Sequence, residues 1–375
     1  MPCEANCQHN SCTGLSSSSL RHPAARPSRR AVVGSLAAFG ASAVLGAPRV
    51  LAQNAGQGAA GNDWIIDTHH HIYPPRYVNA NLKRIVEDSG ALPASAYTSW
   101  SPQRALEQMD KAGVRSAVVS MTSPGIWWGN TEEGRTWARE CNEFGAQMAK
   151  DFPGRFGMFA AIPLPDTEGS LREIAYALDT LKLDGIGLLT SYAGKPLGDP
   201  SFAAVFDELN RRKVAVFVHP TMSCCGMSIP GIDPPAIDFS TDTTRTLASL
   251  AYSGTFARSP DVKFIFSHGG GTMPFLLSRF TREESVMKDR EQRLPRGVLY
   301  ELKKFHYDTA QANHAGALAA LVRVIPVSQV LYGSDFPFRP GSDVNEGLAQ
   351  FRFKPRDLRA IDRDNALKLL PSLKT

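Results

Sequence analysis

The segment 67–71, with the sequence DTHHH, carries the strongest chemical signal in the chain. It follows an apolar run typical of a buried strand. Successive side chains of a β-strand point to opposite faces, so His69 and His71 would share one face and His70 would lie on the other. Two imidazoles on one face can bind one metal ion. The HxH spacing alone is weak evidence, because it also occurs where histidines only pack in a core.

Three further polar residues stand where later apolar runs end. His219 ends VAVFVH, His268 follows FIFS, and Asp335 follows LYGS. Each has an ordinary alternative: His219 as a satisfied core histidine, His268 as a turn residue supporting the glycines after it, and Asp335 as a helix cap. Taken together, four such strand ends favour one common site.

The expected ligands are three imidazoles and one carboxylate: His69, His71, His219 and Asp335. This donor set suits Zn²⁺ best and tolerates Mn²⁺. One divalent ion so bound would leave a position open for water or substrate. It could activate the water or polarise a substrate oxygen.

The elements that must position these residues alternate between short apolar runs and amphipathic segments. The expected strands are 64–69, 115–121, 155–162, 184–190, 214–219, 263–268, 304–309 and 329–334. The expected helices are 101–112, 132–151, 170–181, 201–212, 243–257, 274–288 and 315–324. Ser101 and Ser170 are predicted N-caps, and Gly113 a C-terminal stop. This alternation predicts an α/β fold, a (β/α)8 TIM barrel, since only a closed sheet makes the first and last strands neighbours.

Two segments are expected to shape the mouth of that barrel. The stretch 74–100 is longer than an ordinary loop after a strand, and such insertions usually form lids. Trp127 and Trp128 fall in the loop after the second strand. They would cover an aromatic substrate or form an ordinary hydrophobic lid.

The first 52 residues have the pattern of a twin-arginine export signal. Arg29 and Arg30 precede an Ala- and Gly-rich apolar run, and VLA at 50–52 offers a cleavage point. The alternative is a membrane anchor, but the run is short and poor in Leu, Ile and Phe. We expect a removed signal at 1–52, a linker at 53–62, a barrel at 63–375 and a periplasmic or secreted protein without stable membrane insertion.

The charge of the chain argues against nucleic acid as a partner. The 375 residues carry a net charge of +5. Residues 1–52 hold five arginines and one glutamate, which leaves a surplus of about one positive charge elsewhere. A nearly neutral body has no basic stripe for phosphates.

The sequence resembles the amidohydrolase superfamily, in the branch of aminocarboxymuconate-semialdehyde and 6-methylsalicylate decarboxylases. The resemblance covers residues 63–371 and rests on stretches such as IIDTHHHIYPP, GIGLLTSYAGKPLGDPSFAAVFDELNRRK, VFVHPT, KFIFSHGGGTMPFLLSRF and VLYGSDFPF. It implies the same four metal ligands. Relatives that bind two ions usually carry a lysine at the end of strand four, where this chain has LLTS, so a single ion is expected.

The resemblance also implies roles that spacing alone does not. His268 matches a general acid/base beside the ion rather than a ligand. Arg279, eleven residues later, matches an arginine that binds the substrate carboxylate across a dimer interface, which would require a homodimer. Its alternative is a surface arginine paired with Glu283.

The expected activity is metal-dependent, non-oxidative decarboxylation of an aromatic or dienoic acid with an oxygen near the carboxylate, as in a salicylate. His268 or Asp335 would supply the proton. Hydrolysis of a lactone, ester or amide by the same site is the alternative, since the fold does not choose the chemistry. A third possibility is a catalytically inactive barrel that only binds a metal or ligand. The expected partner is a small carboxylate.

Overall fold

Eight parallel strands form the centre of the chain in the computed structural model, which describes residues 64–89, 92–222 and 229–374. The predicted signal at 1–52 and linker at 53–62 lie outside the described residues. The strands are β1 Ile65–His71, β2 Val114–Ser120, β3 Phe156–Ala161, β4 Gly185–Leu189, β5 Ala215–His219, β6 Lys263–Phe266, β7 His306–Asp308 and β8 Val330–Leu331. Each pairs in parallel with the next along the chain.

Backbone hydrogen bonds between β1 and the residues just after β8 close the ring. The Thr68 N–H donates to the carbonyl of Tyr332 at 2.9 Å, and the His71 N–H donates to that of Phe336 at 2.8 Å. In return, the Asp335 N–H donates to the carbonyl of His69 at 2.8 Å. The predicted (β/α)8 barrel is confirmed, and its closure is what brings the first and last strands together.

Helices cover the outside of the ring and fill most connections. The α-helices are α1 Pro75–Asp88, α2 Ala94–Thr98, α3 Pro102–Ala112, α4 Thr131–Asp151, α5 Thr167–Ala175, α6 Ala203–Arg212, α7 Pro235–Tyr252, α8 Thr255–Arg258, α9 Leu277–Val286, α10 Arg290–Arg293, α11 Val298–Lys304, α12 Ala315–Val324, α13 Gly341–Phe351, α14 Pro355–Arg359 and α15 Asn365–Leu369. Single π-helical turns, Tyr176–Thr180 and Ala360–Asp364, continue α5 and α14. Short 3₁₀ turns are Pro200–Phe202, His268–Gly270, Met273–Leu276, Val327–Gln329 and Pro371–Lys374. A two-residue antiparallel pair, Ser191–Tyr192 with Lys195–Pro196, follows β4.

Local caps explain where several helices begin. Ser101 accepts the Arg104 N–H at 3.2 Å, and Gly113 ends α3 with a φ of 72°, as predicted. The predicted N-cap at Ser170 is wrong, because Asp166 caps α5 four residues earlier by accepting the Gly169 N–H at 3.1 Å. A carboxylate at this position satisfies an N–H that the helix leaves without a partner.

Three further helices also begin differently from the prediction. The helix predicted from 243 begins at Pro235, where proline suits the first turn. The side chains of its first two turns are mostly exposed or half-buried, so apolar residues in this segment do not recur with a clear helical spacing. The helices predicted from 201 and 274 begin with a 3₁₀ turn each, which sequence periodicity does not distinguish.

The barrel interior is a packed apolar core. Phe159 and Phe217 stack with ring centroids 5.5 Å apart, and Phe217 meets the ring of His69 edge-on at 5.0 Å. Leu370 and Leu373, from the C-terminal segment, belong to the same buried cluster. The polar residues at the carboxyl ends of the strands therefore rest on an apolar layer.

Among the described residues, no helix combines the length and apolar character that crossing a bilayer requires.

Candidate metal centre

Side chains from four strand ends converge at the carboxyl end of the barrel. His69, His219, His268 and Asp335 each present one possible ligand atom, and these atoms all lie within 4.8 Å of one another. All four residues are buried. Nitrogen and oxygen ligands held about 2.1 Å from one ion lie about 3–4 Å apart, so the spacing is close to that of a bound set.

His71 belongs to the same cluster. Its Nε2 lies 2.9 Å from Oδ1 of Asp335 and 3.2 Å from Nε2 of His69. Oδ1 of Asp335 also lies 3.3 Å from Nε2 of His69, and the rings of His71 and His219 are 4.8 Å apart. The structure thus brings together the four predicted ligands and places His268 beside them.

Three of the imidazoles are oriented through their second nitrogen. The donor–acceptor pairs are His69 Nδ1 with Asp308 Oδ2 at 2.8 Å, His71 Nδ1 with the Ser120 carbonyl at 3.3 Å, and His219 Nδ1 with the Pro220 carbonyl at 2.7 Å. Metal-binding histidines usually donate their other N–H to a carboxylate or carbonyl in this way. The Nε2 atoms of His69 and His71 then face each other with their lone pairs at 3.2 Å, an arrangement that a cation stabilises. The donor set therefore fits one divalent ion.

His268 differs from these three histidines. Neither of its ring nitrogens has a hydrogen-bond partner among the described residues. Its Nε2 lies 3.5 Å from Oδ2 of Asp335, longer than an ordinary hydrogen bond. Without an orienting acceptor, His268 is better suited to exchange a proton with a bound molecule than to bind the ion.

The electrostatics of the cluster favour the metal-binding protonation states of most of its members. Burial lowers the pKa of His71, and burial with the neighbouring imidazoles puts the pKa of His219 well below its usual value. Burial alone would raise the pKa of Asp335, but His69 and further histidine contacts hold it well below the usual range. For His69, burial acts to lower the pKa, yet Asp308 and Asp335 outweigh it and raise the pKa to about 10. Metal uptake must therefore displace a proton from His69.

The backbone is strained at two of these residues. His268 has a φ of 54° and Asp335 a φ of 68°, both in the left-handed region. That region costs a residue other than glycine about 1–2 kcal/mol. Such conformations persist where the surrounding structure enforces them, and they cluster at functional sites.

A cavity of about 260 Å³ opens above the cluster. His219, His268 and Asp335 line it together with the aromatic rings of Phe239 and Phe338. The predicted lid segment 74–100 forms α1 and α2 and contributes Ser89 and Leu92 to the lining. Trp127 and Trp128 are absent from the lining among the described residues, and Trp128 packs against the hydrophobic core.

Arg279 lies outside this cavity. It is exposed on α9 and is not among the described residues that line the cavity. No ion pair joins it to Glu283 among the described residues. A substrate-binding role for Arg279 would need a second copy of the chain and stays a prediction.

Three residues that sequence reasoning missed belong to the site: Asp308, Gln311 and Arg339. Asp308 ends β7 and is fully buried. Gln311 donates through Nε2 to Oδ2 of Asp335, and Arg339 lines the cavity. Gly333 explains the close approach of β7, β8 and β1, since a Cβ there would lie 2.8 Å from Cβ of His69 and 2.9 Å from that of Asp308.

Replacing Asp308 by asparagine is expected to weaken metal binding about 10–100-fold, the usual effect of removing such an outer partner. Its carboxylate holds His69 Nδ1 and also accepts the backbone N–H groups of His268 and Ala310 at 2.9 and 3.0 Å. Asparagine keeps the shape but removes the charge that favours this histidine orientation. Competition titration against a chelator measures the affinity.

Asp184→Asn is the matched control. Asp184 accepts the Met158 N–H at 2.8 Å and the hydroxyl of Ser372. It lies at the amino end of β4, whereas the metal centre lies at the carboxyl ends of the strands. The same substitution there should therefore change stability but not metal affinity. An unchanged metal affinity in Asp308→Asn would contradict the orienting role of Asp308.

Comparison with known proteins places this site in a family. The chain matches the amidohydrolase family model over residues 66–372. It is 38% identical to the decarboxylase macB of Penicillium terrestre over 82% of this chain and 94% of that protein. It is 33% identical to the 6-methylsalicylic acid decarboxylase acuB of Aspergillus aculeatus, over 82% of this chain and 96% of that one.

A solved structure agrees with these relatives. A protein described as amidohydrolase II superposes with a TM-score of 0.73 at 26% identity, covering 82% of this chain and 99% of the other. The resemblance inferred from the strand-end stretches is thus confirmed. With its closed barrel and the matching family model over most of its length, this chain belongs to the amidohydrolase family.

Proposed function

We propose that the chain is a metal-dependent, non-oxidative decarboxylase of an aromatic acid that carries an oxygen next to its carboxylate. The observation that carries the proposal is His268, a buried imidazole that lines the cavity beside the candidate ligands and whose ring nitrogens have no hydrogen-bond partner in the described part of the chain. Relatives at 33–38% identity, which this chain matches over nearly their whole length, are named as decarboxylases.

The cavity supplies what such a reaction needs from the protein. Phe239 and Phe338 offer apolar walls for a ring, and the rings of these two residues lie 5.8 Å from those of His219 and His71 respectively. A bound ion would supply positive charge to hold the ring oxygen and the carboxylate together. His268 then delivers a proton to the ring carbon, and the bond from that carbon to the carboxylate breaks to release CO₂.

The ligands and the metal belong to the same proposal. We assign His69, His71, His219 and Asp335 to the ion, because each of these histidines has an orienting acceptor and Asp335 contacts two of them. His268 and Asp335 are the candidates for proton transfer. The donor set favours Zn²⁺ and accommodates Mn²⁺.

Export and assembly complete the proposal. Arg29 and Arg30 before an apolar run support export by the twin-arginine route, which carries folded proteins. A homodimer is supported by the surface of α9, where Arg279 is exposed close to Phe275, whose side chain is 87% exposed.

A substrate panel tests the activity. We expect the metal-loaded protein to release CO₂ from 2-hydroxybenzoates, including the 6-methyl compound, and not from 4-hydroxybenzoate. Only the former place an oxygen where one ion can hold it together with the carboxylate. Released CO₂ and the phenol product are measured together, so that carbon is accounted for.

The same panel separates the alternatives. Acid release from lactones, esters or amides without CO₂ release from any hydroxybenzoate would overturn the decarboxylase proposal in favour of a hydrolase. Ligand binding without turnover of either class would indicate an inactive binding protein.

A further inference from the structure

Arg339 brings a positive charge to the cavity. It is the one lysine or arginine among the described residues that line the cavity. Its side chain is exposed, and in the described part of the chain the guanidinium makes no hydrogen bond or ion pair. An unpaired guanidinium at a cavity is available to bind a carboxylate with two parallel hydrogen bonds.

One turn of the chain fixes Arg339 relative to the metal centre. The Arg339 N–H donates to the carbonyl of Asp335 at 3.3 Å, and the Phe338 N–H donates to the same carbonyl at 3.0 Å. Asp335 is buried, Phe338 is half-buried and Arg339 is exposed. This turn therefore places the candidate ligand Asp335 at the base of the cavity, the ring of Phe338 on its side and the positive charge of Arg339 at its edge.

Decarboxylation removes the negative charge of the reacting carboxylate, so the effect of a cation at the edge of the cavity depends on which carboxylate it binds. In the proposed reaction, the reacting carboxylate would lie beside His268 at the base of the cavity and lose its negative charge as CO₂ leaves. An arginine bound to that carboxylate would stabilise the starting state more than the transition state and would slow the reaction. An arginine bound to an acidic group that stays on the product adds affinity without this penalty.

We propose that Arg339 binds a second carboxylate, on the side of the substrate ring away from the reacting one. The preferred substrate is then an aromatic diacid that keeps one acid group after CO₂ is lost. This inference rests on the proposed decarboxylase activity.

Two substrates that differ only in the second acid group test it. Salicylate (2-hydroxybenzoate) and 4-hydroxyisophthalate share the reacting carboxylate and its neighbouring hydroxyl, and the latter adds a carboxylate para to that hydroxyl and meta to the reacting group. We expect Arg339→Gln to raise KM for the diacid about 10–100-fold, the value of one charge-assisted bond. The preference for the diacid in kcat/KM should fall by the same factor. Arg339→Lys, which keeps the charge but loses the planar fork, should fall in between.

Arg323→Gln is the matched control, because Arg323 is exposed on α12 and absent from the cavity lining among the described residues. An equal loss on both substrates in Arg339→Gln, or an unchanged preference, would overturn the proposal. Asp233→Asn tests whether Arg339 serves only as a partner of Asp233, the acidic residue that also lines the cavity in an exposed position. In that case Arg339→Gln and Asp233→Asn would each change KM equally for salicylate and for 4-hydroxyisophthalate, and this result would also overturn the proposal.

A binding measurement separates this inference from the activity. Calorimetry on the metal-loaded protein compares 4-hydroxybenzoate, the product expected from the diacid, with its uncharged amide. Arg339→Gln should weaken the acid about 10-fold or more and leave the affinity for the amide unchanged. If no substrate releases CO₂, the activity proposal fails, whereas equal weakening of acid and amide overturns the role of Arg339.

Discussion

Replacing His268 by asparagine is expected to leave one ion bound per chain and to lower kcat for CO₂ release by about 10²–10⁴-fold, the usual contribution of a general acid. Asparagine tolerates the left-handed backbone that residue 268 adopts, with its φ of 54°. Alanine would add backbone strain to the loss of the imidazole. The measurements are metal content by mass spectrometry and the rate of CO₂ release in a single turnover.

His314→Asn controls for the loss of a histidine as such. His314 is exposed and caps α12 by accepting the Gly316 N–H at 3.1 Å, a task that asparagine also performs. Loss of metal from His268→Asn would assign His268 to the ligands, in place of His71, and contradict the proposed division of roles. Metal retention with undiminished turnover would remove His268 from proton transfer.

The fold could be predicted from the sequence because its strands are buried on both faces. Such strands form near-continuous apolar runs, as in AVFVH at 215–219, and polar residues mark their ends. The eighth strand shows the limit of this reasoning. Only Val330 and Leu331 pair regularly with β7, whereas the residues after them close the barrel through irregular bonds to β1. Those bonds depend on the closed sheet and leave no local pattern.

The metal cluster was predictable for the same reason, but its outer partners were only partly so. Asp308 ends a buried strand and could have been found by the reasoning that found His219 and Asp335. Gln311 and Arg339 could not, because each reaches the site from a turn whose geometry no periodicity reports. Gln311 itself has a φ of 49°.

The choice between His71 and His268 as ligands also lies beyond the sequence. Strand alternation favours His71, since it shares a face with His69. Proximity alone groups His268 with His69, His219 and Asp335 within 4.8 Å. The orienting bonds support the proposed assignment of His71, because its Nδ1 has a backbone acceptor and neither nitrogen of His268 has one among the described residues.

Asp335→Asn is expected to abolish both metal retention and turnover. The change removes one negative charge and almost no volume, and asparagine tolerates the φ of 68° at this position. Oδ1 of Asp335 is shared between His71 and His69, at 2.9 and 3.3 Å, so its charge would compensate an ion bound by these residues. Loss of a ligand should exceed the roughly 10–100-fold cost of losing an outer partner. Metal content should fall from one per chain to near zero.

Thermal unfolding supplies an independent readout for the same variant. An ion that binds only the folded state adds about 2.7 kcal/mol at 100 times its Kd, so wild-type protein should gain several degrees in Tm when the ion is added. Asp335→Asn should gain nothing, whereas Asp343→Asn, an exposed aspartate in the first turn of α13, should respond like wild type. An equal metal-dependent gain in Asp335→Asn would place the ion elsewhere, because a carboxylate that contacts two ligand histidines cannot lose its charge without cost to a shared ion.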